Sequence, residues 1–284
     1  MNQIITCTDG SVYSTSVYDH TAWAARNTDA AIRVLHMLDH HRERAQIADF
    51  SGNLGPETSD DLLEELVELE ENKSRLARER GKAILTKARE HLKSLGVQNV
   101  TVEQQHGELV ESITRLEANA DLVVMGKRGE LADFATLHLG SNLERVIRAS
   151  IRPVLVASRK FAPINRFLVA YDGGPSAQKA INHAVENPLL QGLSCHLLRA
   201  GKVDDKAEYY LHEAAGKLRD AGYEVTAEAI PGDPEHVISS AIEKVDAQLL
   251  VMGAYGHSRI RHLMVGSTTT SMLRTCRVPV LMFR

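Results

Sequence analysis

Cysteine, tryptophan and long apolar runs are all scarce in this chain, and each scarcity excludes something. The three cysteines among 284 residues, Cys7, Cys195 and Cys276, share no metal-ligand spacing. Cys7 and Cys195 fall in apolar runs of strand type, so the thiols read as reduced core residues rather than a disulfide framework. No stretch is long and apolar enough to cross a bilayer. Met1-Asn2-Gln3 lacks the basic start and apolar run of a secretory signal, so the expected location is cytoplasmic. Basic excess is missing as well. A net charge of −4 argues against a general role on nucleic acid or on a membrane surface. There is no G-x-S-x-G elbow, no Cys–His signature and no Walker-type Gly-Lys-Ser. With 43% hydrophobic and 25% charged residues, the chain has an ordinary globular composition and enough apolar side chains for a core.

What is present is a pattern that occurs twice. Leu122-Val123-Val124-Met125-Gly126-Lys127-Arg128-Gly129 is followed after ten residues by Gly140-Ser141. Leu249-Leu250-Val251-Met252-Gly253-Ala254-Tyr255-Gly256 is followed after nine by Gly266-Ser267. Each is an apolar strand running into a glycine loop, with Gly-Ser at a helix start. Each leads to a closing strand, Val154-Leu155-Val156 or Val280-Leu281-Met282. Such a layout suits phosphate, because glycines admit close backbone approach and helix N-termini present free N–H groups. The first strands match too, Ile4 to Asp9-Gly10 against Phe167 to Asp172-Gly173. The interval from Asp9 to Asp172 is longer than that from Gly126 to Gly253, so the first half carries an insertion between its Asp-Gly turn and its glycine loop. The repeat divides the chain into a domain over 1–160 and a second over 161–284. A period this long signals a duplicated domain rather than a solenoid.

Strand and helix patterns alternate through both halves. In the second, strands are expected at 166–171, 193–198, 223–230, 249–252 and 278–283, with helices at 176–187, 205–221, from 234 and after 267. Gly222 is placed to cap the second helix, and Asp233-Pro234 to open the third. The fold class that follows is α/β, two repeated domains each built on a five-stranded parallel sheet with helices on both faces. Ligands in such sheets sit beyond the strand carboxyl ends at the switch in strand order, which brings Asp172 and Gly253 into one crevice. In the first half, 57–95 reads as a long charged helix, acidic first and basic later, as the helix dipole favours. It is either a solvated face laced with ion pairs or a projecting helix that covers the cleft or docks a partner. A long loop is expected over 36–55.

The spacing Gly253-x2-Gly256-x9-Gly266-Ser267, after an apolar strand and before a Val-Pro-Val strand, resembles the universal stress protein family, and the repeat extends the resemblance to both halves. It implies the adenine-nucleotide α-hydrolase-like fold and, in many members, bound ATP. Carried onto this chain, the implied nucleotide contacts are Ala170, Tyr171, Asp172, Met252, Gly253, Gly256, Gly266, Ser267, Thr268 and Thr269. It also implies pairing through the last strand, here between the two halves of one chain, with a homodimer of the tandem chain as a further option. The implied role is that of an ATP-binding regulator or sensor in stress adaptation.

The two loops differ in charge. The nine residues 257–265 carry Arg259 and Arg261 and no acid, which favours a triphosphate. The ten residues 130–139 carry Glu130 and Asp133 and no Lys or Arg, and Asn142-Leu143-Glu144 replaces Thr268-Thr269-Thr270 after the Gly-Ser. Nucleotide is therefore expected mainly in the second half. Thr8, Asp9, Met125, Gly126, Gly129, Gly140 and Ser141 are the weaker first-half candidates, or parts of a loop that only connects strand to helix. Asp9 and Asp172 fit either an Asx turn or a Mg²⁺ held through phosphate. His36, His40 and His41 lack the partners of a metal site. Trp23 reads as helix packing, and nothing in the sequence ties Tyr209-Tyr210 to a base. No general base is evident, so the expectation is no catalysis beyond slow ATP hydrolysis. The competing reading is an interaction protein, with vestigial clefts or an apolar ligand and the charged helix as its docking element. An ATP-consuming enzyme is a third.

Overall fold

The computed structural model describes residues 1–38, 59–127, 141–254 and 267–284, with only the backbone given for 59–64 and 141. In the first half, strands β1 (Gln3–Thr8), β2 (Ala31–Leu38), β3 (Val100–His106), β4 (Leu122–Gly126) and β5 (Val154–Ala157) alternate with helices. These are α1 (Ser14–Thr28), α2 (Ser59–Ser94), α3 (Leu109–Leu116) and α4 (Ser141–Ala149). The second half repeats the plan with β6 (Arg166–Ala170), β7 (Ser194–Ala200), β8 (Val225–Ile230), β9 (Leu249–Gly253) and β10 (Val280–Phe283). Its helices are α5 (Pro175–Glu186), α6 (Asp205–Asp220), α7 (Pro234–Lys244) and α8 (Ser267–Thr275).

All ten strands join one sheet in the order β3-β2-β1-β4-β5-β10-β9-β6-β7-β8. Every pairing is parallel except β5 with β10, where Leu155 lies opposite Leu281 and Val156 opposite Val280. The last strand of each half thus covers the other's edge, which satisfies backbone groups that an open edge would leave unpaired. The central strands β4, β5, β9 and β10 are apolar on both faces, as a sheet buried on both sides requires, whereas the edge strands β3 and β8 carry Glu103, Gln104, Gln105 and Glu228. Ile4, Leu122, Leu155, Leu281 and Val251 face the core under α1, α2, α5 and α6. Ile5, Val123, Val154, Val280 and Leu250 face the core under α3, α4, α7 and α8. Both cores run unbroken from one half into the other.

Local chemistry sets most boundaries. Asp233 caps α7, its side chain accepting from the His236 N–H at 3.2 Å, with Pro234 at the first turn. Gly96 and Gly222 both stand at φ +90 behind α2 and α6, the left-handed geometry that closes a helix. Trp23 is buried among Ala22, Ala24 and Ala25. These residues fill several faces of α1 because the helix packs on the sheet, on α2 and on the second half, where Asn27 Nδ2 donates to the Leu189 carbonyl at 3.1 Å. Residues 36–38 of the expected loop are strand instead: β2 continues through His36 to Leu38, held by pairing with β3 up to Leu38 opposite His106. The rest of that segment, with His40 and His41, lies outside the described residues. Among the described residues no helix is long and apolar enough to cross a membrane. Cys7 and Cys195 are buried in β1 and β7, and burial pushes both thiols up to about 12.

Among the described residues of α2, the buried apolar side chains lie in its C-terminal part. Leu85, Ala88 and Leu92 are buried, whereas Val67 is 55%, Leu69 48% and Leu76 64% exposed. At about 1.5 Å per residue, the 36-residue helix is about 54 Å long, so its acidic first half projects from the sheet it covers.

Candidate functional site

Both switch points lie at the carboxyl ends of the strands. In the second half β6 pairs with β9, Ala170 opposite Met252, so Asp172 and Gly253 end neighbouring strands. Asp172 closes an Asx turn: its Oδ1 accepts the Gly174 N–H at 2.8 Å, and Gly173 takes φ +77. Gly253 has a steric reason. A Cβ there would lie 2.9 Å from Ser176 Cβ and 3.3 Å from the Ala177 nitrogen, so the strand end touches the first turn of α5. The first turn of α8 is tied to the same strand end, because Thr269 Oγ1 donates to the Gly253 carbonyl at 3.2 Å. That bond uses the Thr269 hydrogen inside the protein, and the side chain is buried. Thr268 is half-buried and Ser267 exposed at the start of the helix.

Tyr171 and Met252 are buried beneath this crevice. The Tyr171 hydroxyl accepts from Gln178 Nε2, and burial pushes it up to about 12, with Glu213 and Asp172 adding in the same direction. Tyr171 therefore supports the crevice from the core side, and its neighbour Ala170 is half-buried. Gly256, Arg259 and Gly266 lie outside the described residues.

The structure adds a residue that the sequence pattern does not single out. Arg199, at the end of β7, donates from Nη1 to the Asp172 carbonyl, while its Nε is buried without a hydrogen-bond partner. His36 is its counterpart in the first half, at the end of β2, and its Nδ1 lies 2.9 Å from the Thr8 carbonyl oxygen. The two residues pin the end of the first strand in their respective halves, one with a guanidinium and the other with an imidazole. Aligning the halves on Asp9 and Asp172 would have paired them; their contacts arise only in the tertiary structure.

The first-half turn has the same shape with different surroundings. Asp9 Oδ1 accepts from the Ser11 N–H at 3.0 Å and from Ser14 Oγ at 3.1 Å, and Gly10 takes φ +75. Thr8 Oγ1 lies 2.6 Å from the Tyr18 hydroxyl. A Cβ on Gly10 would fall 2.5 Å from Ile84 Cδ1, so a side chain of α2 lies directly over this turn. The corresponding Gly173 meets only Arg199 Nη1, at 3.6 Å. Asp9 Oδ2 and Ser11 Oγ are nevertheless buried without hydrogen-bond partners, which leaves polar atoms unsatisfied beneath Ile84. Met125 is buried and Gly126 half-buried at the end of β4. Gly129 and Gly140 lie outside the described residues, as does the Ser141 side chain.

A family model described as Universal stress protein family matches residues 1–158 and again residues 163–284. Universal stress protein Slr1230 of Synechocystis sp. is 39% identical over 287 residues, an alignment covering 100% of both chains. Universal stress protein MT2052 of Mycobacterium tuberculosis is 24% identical over 208 residues, 65% of each chain. Among solved structures, a universal stress protein from Archaeoglobus fulgidus superposes with a TM-score of 0.72 at 22% identity, covering 100% of this chain and 96% of that one, a likeness of fold.

Proposed function

Because the chain belongs to the universal stress protein family and carries two such units in tandem, we propose that its second half binds ATP and that the protein acts as a cytoplasmic nucleotide-dependent regulator in stress adaptation. The observation that carries this reading is the meeting of three elements at one crevice: the Asp172 turn, the Gly253 strand end and the first turn of α8 tied to it by Thr269. Gly256, Gly266, Ser267 and Thr268 supply backbone N–H groups and hydroxyls for the phosphates, with Arg259 as the cation of the loop. Asp172 is the carboxylate that takes ribose hydroxyls or a Mg²⁺ held through phosphate on this reading. Ligand that orders the glycine loop stabilises the state that binds it, which gives a physical route from nucleotide to altered crevice or interface.

The first half is the weaker site on this reading. Ile84 covers its Gly10 turn, and its loop sequence is acidic. A second reading has a specific observation of its own, the projecting part of α2, which would carry partner binding independently of nucleotide.

The test is mass spectrometry of small molecules released from the freshly purified chain, followed by ATP titration calorimetry. One ATP per chain, abolished by Gly266→Val and retained after Gly140→Val, supports the asymmetric reading. No released nucleotide and no binding heat would overturn it in favour of the interaction protein.

A further inference from the structure

We propose that the junction between the two halves is a second binding site, specific for a compact oligophosphate anion and separate from the Asp172 crevice. A cavity of about 440 Å³ opens where the ends of β4 and β5 meet the end of α8. Its described lining includes Lys127, Arg159, Lys160, Arg274 and Arg277, and no Asp or Glu. Among the described residues, the side chains of Lys160, Arg274 and Arg277 make no ion pair. Positive charges gathered without a counter-charge repel one another, and a bound multivalent anion relieves that repulsion.

Three features make this a built cavity rather than a loose basic surface. The segment carrying Arg159 and Lys160 is fixed, because Ser16 Oγ donates to the Ser158 carbonyl at 2.8 Å and Ser158 Oγ to the Lys160 carbonyl at 2.8 Å. Arg159 is held with its guanidinium carbon 5.8 Å from the centre of the Tyr13 ring. Tyr13 is itself fixed as the N-cap of α1, a 15-residue helix whose positive end is already met by Asp9 through Ser14 Oγ. The opposing dipole at the end of α8 is already answered: Lys127 Nζ donates to the Cys276 carbonyl and, at 3.4 Å, to that of Val278. Among the described residues the other four cations have no such assignment.

The charge is also denser at this junction than at its pseudo-symmetric counterpart. Under the repeat, Lys127 corresponds to Ala254 and Arg277 to Ile151, whereas Arg274 corresponds to Arg148 and Arg284 reaches the Ala149 carbonyl, so the pseudo-symmetric position keeps arginines but has fewer cations. Guanidinium groups from two halves of the chain match the spread oxygens of an oligophosphate better than one monovalent ion. The site would therefore read the relative placement of the two halves, since Arg159 and Lys160 follow the first while Arg274 and Arg277 belong to the second.

The test is calorimetric titration of the full chain with inorganic tripolyphosphate at low salt. The expected result, in a Gly266→Val background whose glycine-loop phosphate cradle is blocked, is one equivalent bound, with affinity at least ten-fold weaker once Arg274→Ala/Arg277→Ala is added. Both cations are exposed, so their replacement should leave the unliganded melting temperature unchanged. ATP that displaces tripolyphosphate would identify the phosphate tail of a nucleotide as the ligand, and ATP that does not would identify a free oligophosphate. No heat in the Gly266→Val background, or equal affinity once the two arginines are replaced, would overturn the proposal.

Discussion

His20 and His183 occupy equivalent positions in the two halves, as Asp9 and Asp172 do, and each packs beside the end of the last strand of its own half. His20 is fully buried on α1, with Nδ1 2.6 Å from the Ser16 carbonyl, Nε2 3.4 Å from Ser158 Oγ and its ring edge-on to Phe161 at 5.0 Å. His183 sits on α5 with its ring 5.1 Å from that of Phe283 and its Nε2 buried without a partner. Both imidazoles are held neutral at the seam between the halves.

This relationship predicts a pH dependence of stability. Burial lowers His183 from 6.5 to about 4, against Asp121, which raises it, and the N-terminus, which lowers it further. Burial also lowers His20, against the Ser16 hydrogen bond and Asp19, with Lys127 acting in the same direction as burial. Between the unfolded and folded values the unfolded chain binds more protons, so stability is complete above pH 6.5 and falls as pH drops towards 4. Each histidine contributes at most about 1.4 kcal/mol per pH unit within its window. Urea unfolding between pH 7 and pH 4.5 should show this loss, with a shallower slope in His183→Gln. An unchanged slope in that variant would refute the assignment.

Glycines of different kinds should answer differently to alanine. Gly253→Ala places a Cβ against Ser176 Cβ and the α5 backbone, neither of which can swing away, and should cost about 1–3 kcal/mol. Gly96 has open space around it but stands at φ +90, so Gly96→Ala should cost about 1 kcal/mol through backbone strain alone. Denaturation midpoints of the two variants check this. Equal costs would remove the case for close packing at the strand end.

The contrast between these glycines also marks what could be read from sequence. Asp233-Pro234 and Gly222 announce helix ends through chemistry confined to a few neighbouring residues, and the structure places those ends there. The paired strand runs similarly fix the sheet, because their register within the repeat is written in the order of apolar residues. Arg199 announces nothing and Lys127 reads only as a charge partly offsetting the acidic first loop, since each acts on a carbonyl brought to it from another element, that of Asp172 or Cys276. The cover that Ile84 places over Gly10 is hidden for the same reason: the charged pattern of α2 shows a helix but not the turn it crosses.

The projecting part of α2 should be energetically silent in the isolated protein. Val67→Glu, Leu69→Glu and Leu76→Lys alter exposed side chains and should each change stability by no more than about 0.5 kcal/mol. Leu85→Ala and Leu92→Ala remove buried side chains from the core over β2 and β3 and should cost about 2–5 kcal/mol. Chemical denaturation of the five variants gives the comparison. A large loss in the first group would mean that the acidic half of the helix packs against the rest of the chain.

Lys127 gives the sharpest test of how the halves are joined. It leaves the end of β4 in the first half and donates to carbonyls at the end of α8 in the second, where the helix dipole is negative and the last carbonyls lack helical partners. Lys127→Met keeps most of the aliphatic volume but removes the donor. Leaving those carbonyls unsatisfied should cost about 1–2 kcal/mol. The loss should be concentrated at the seam, so amide hydrogen exchange in β5 and β10 should accelerate while β3 and β8, at the two outer edges of the sheet, keep wild-type rates. Uniform acceleration would mean that Lys127 serves only general stability, and no change at all would mean that water replaces it without loss.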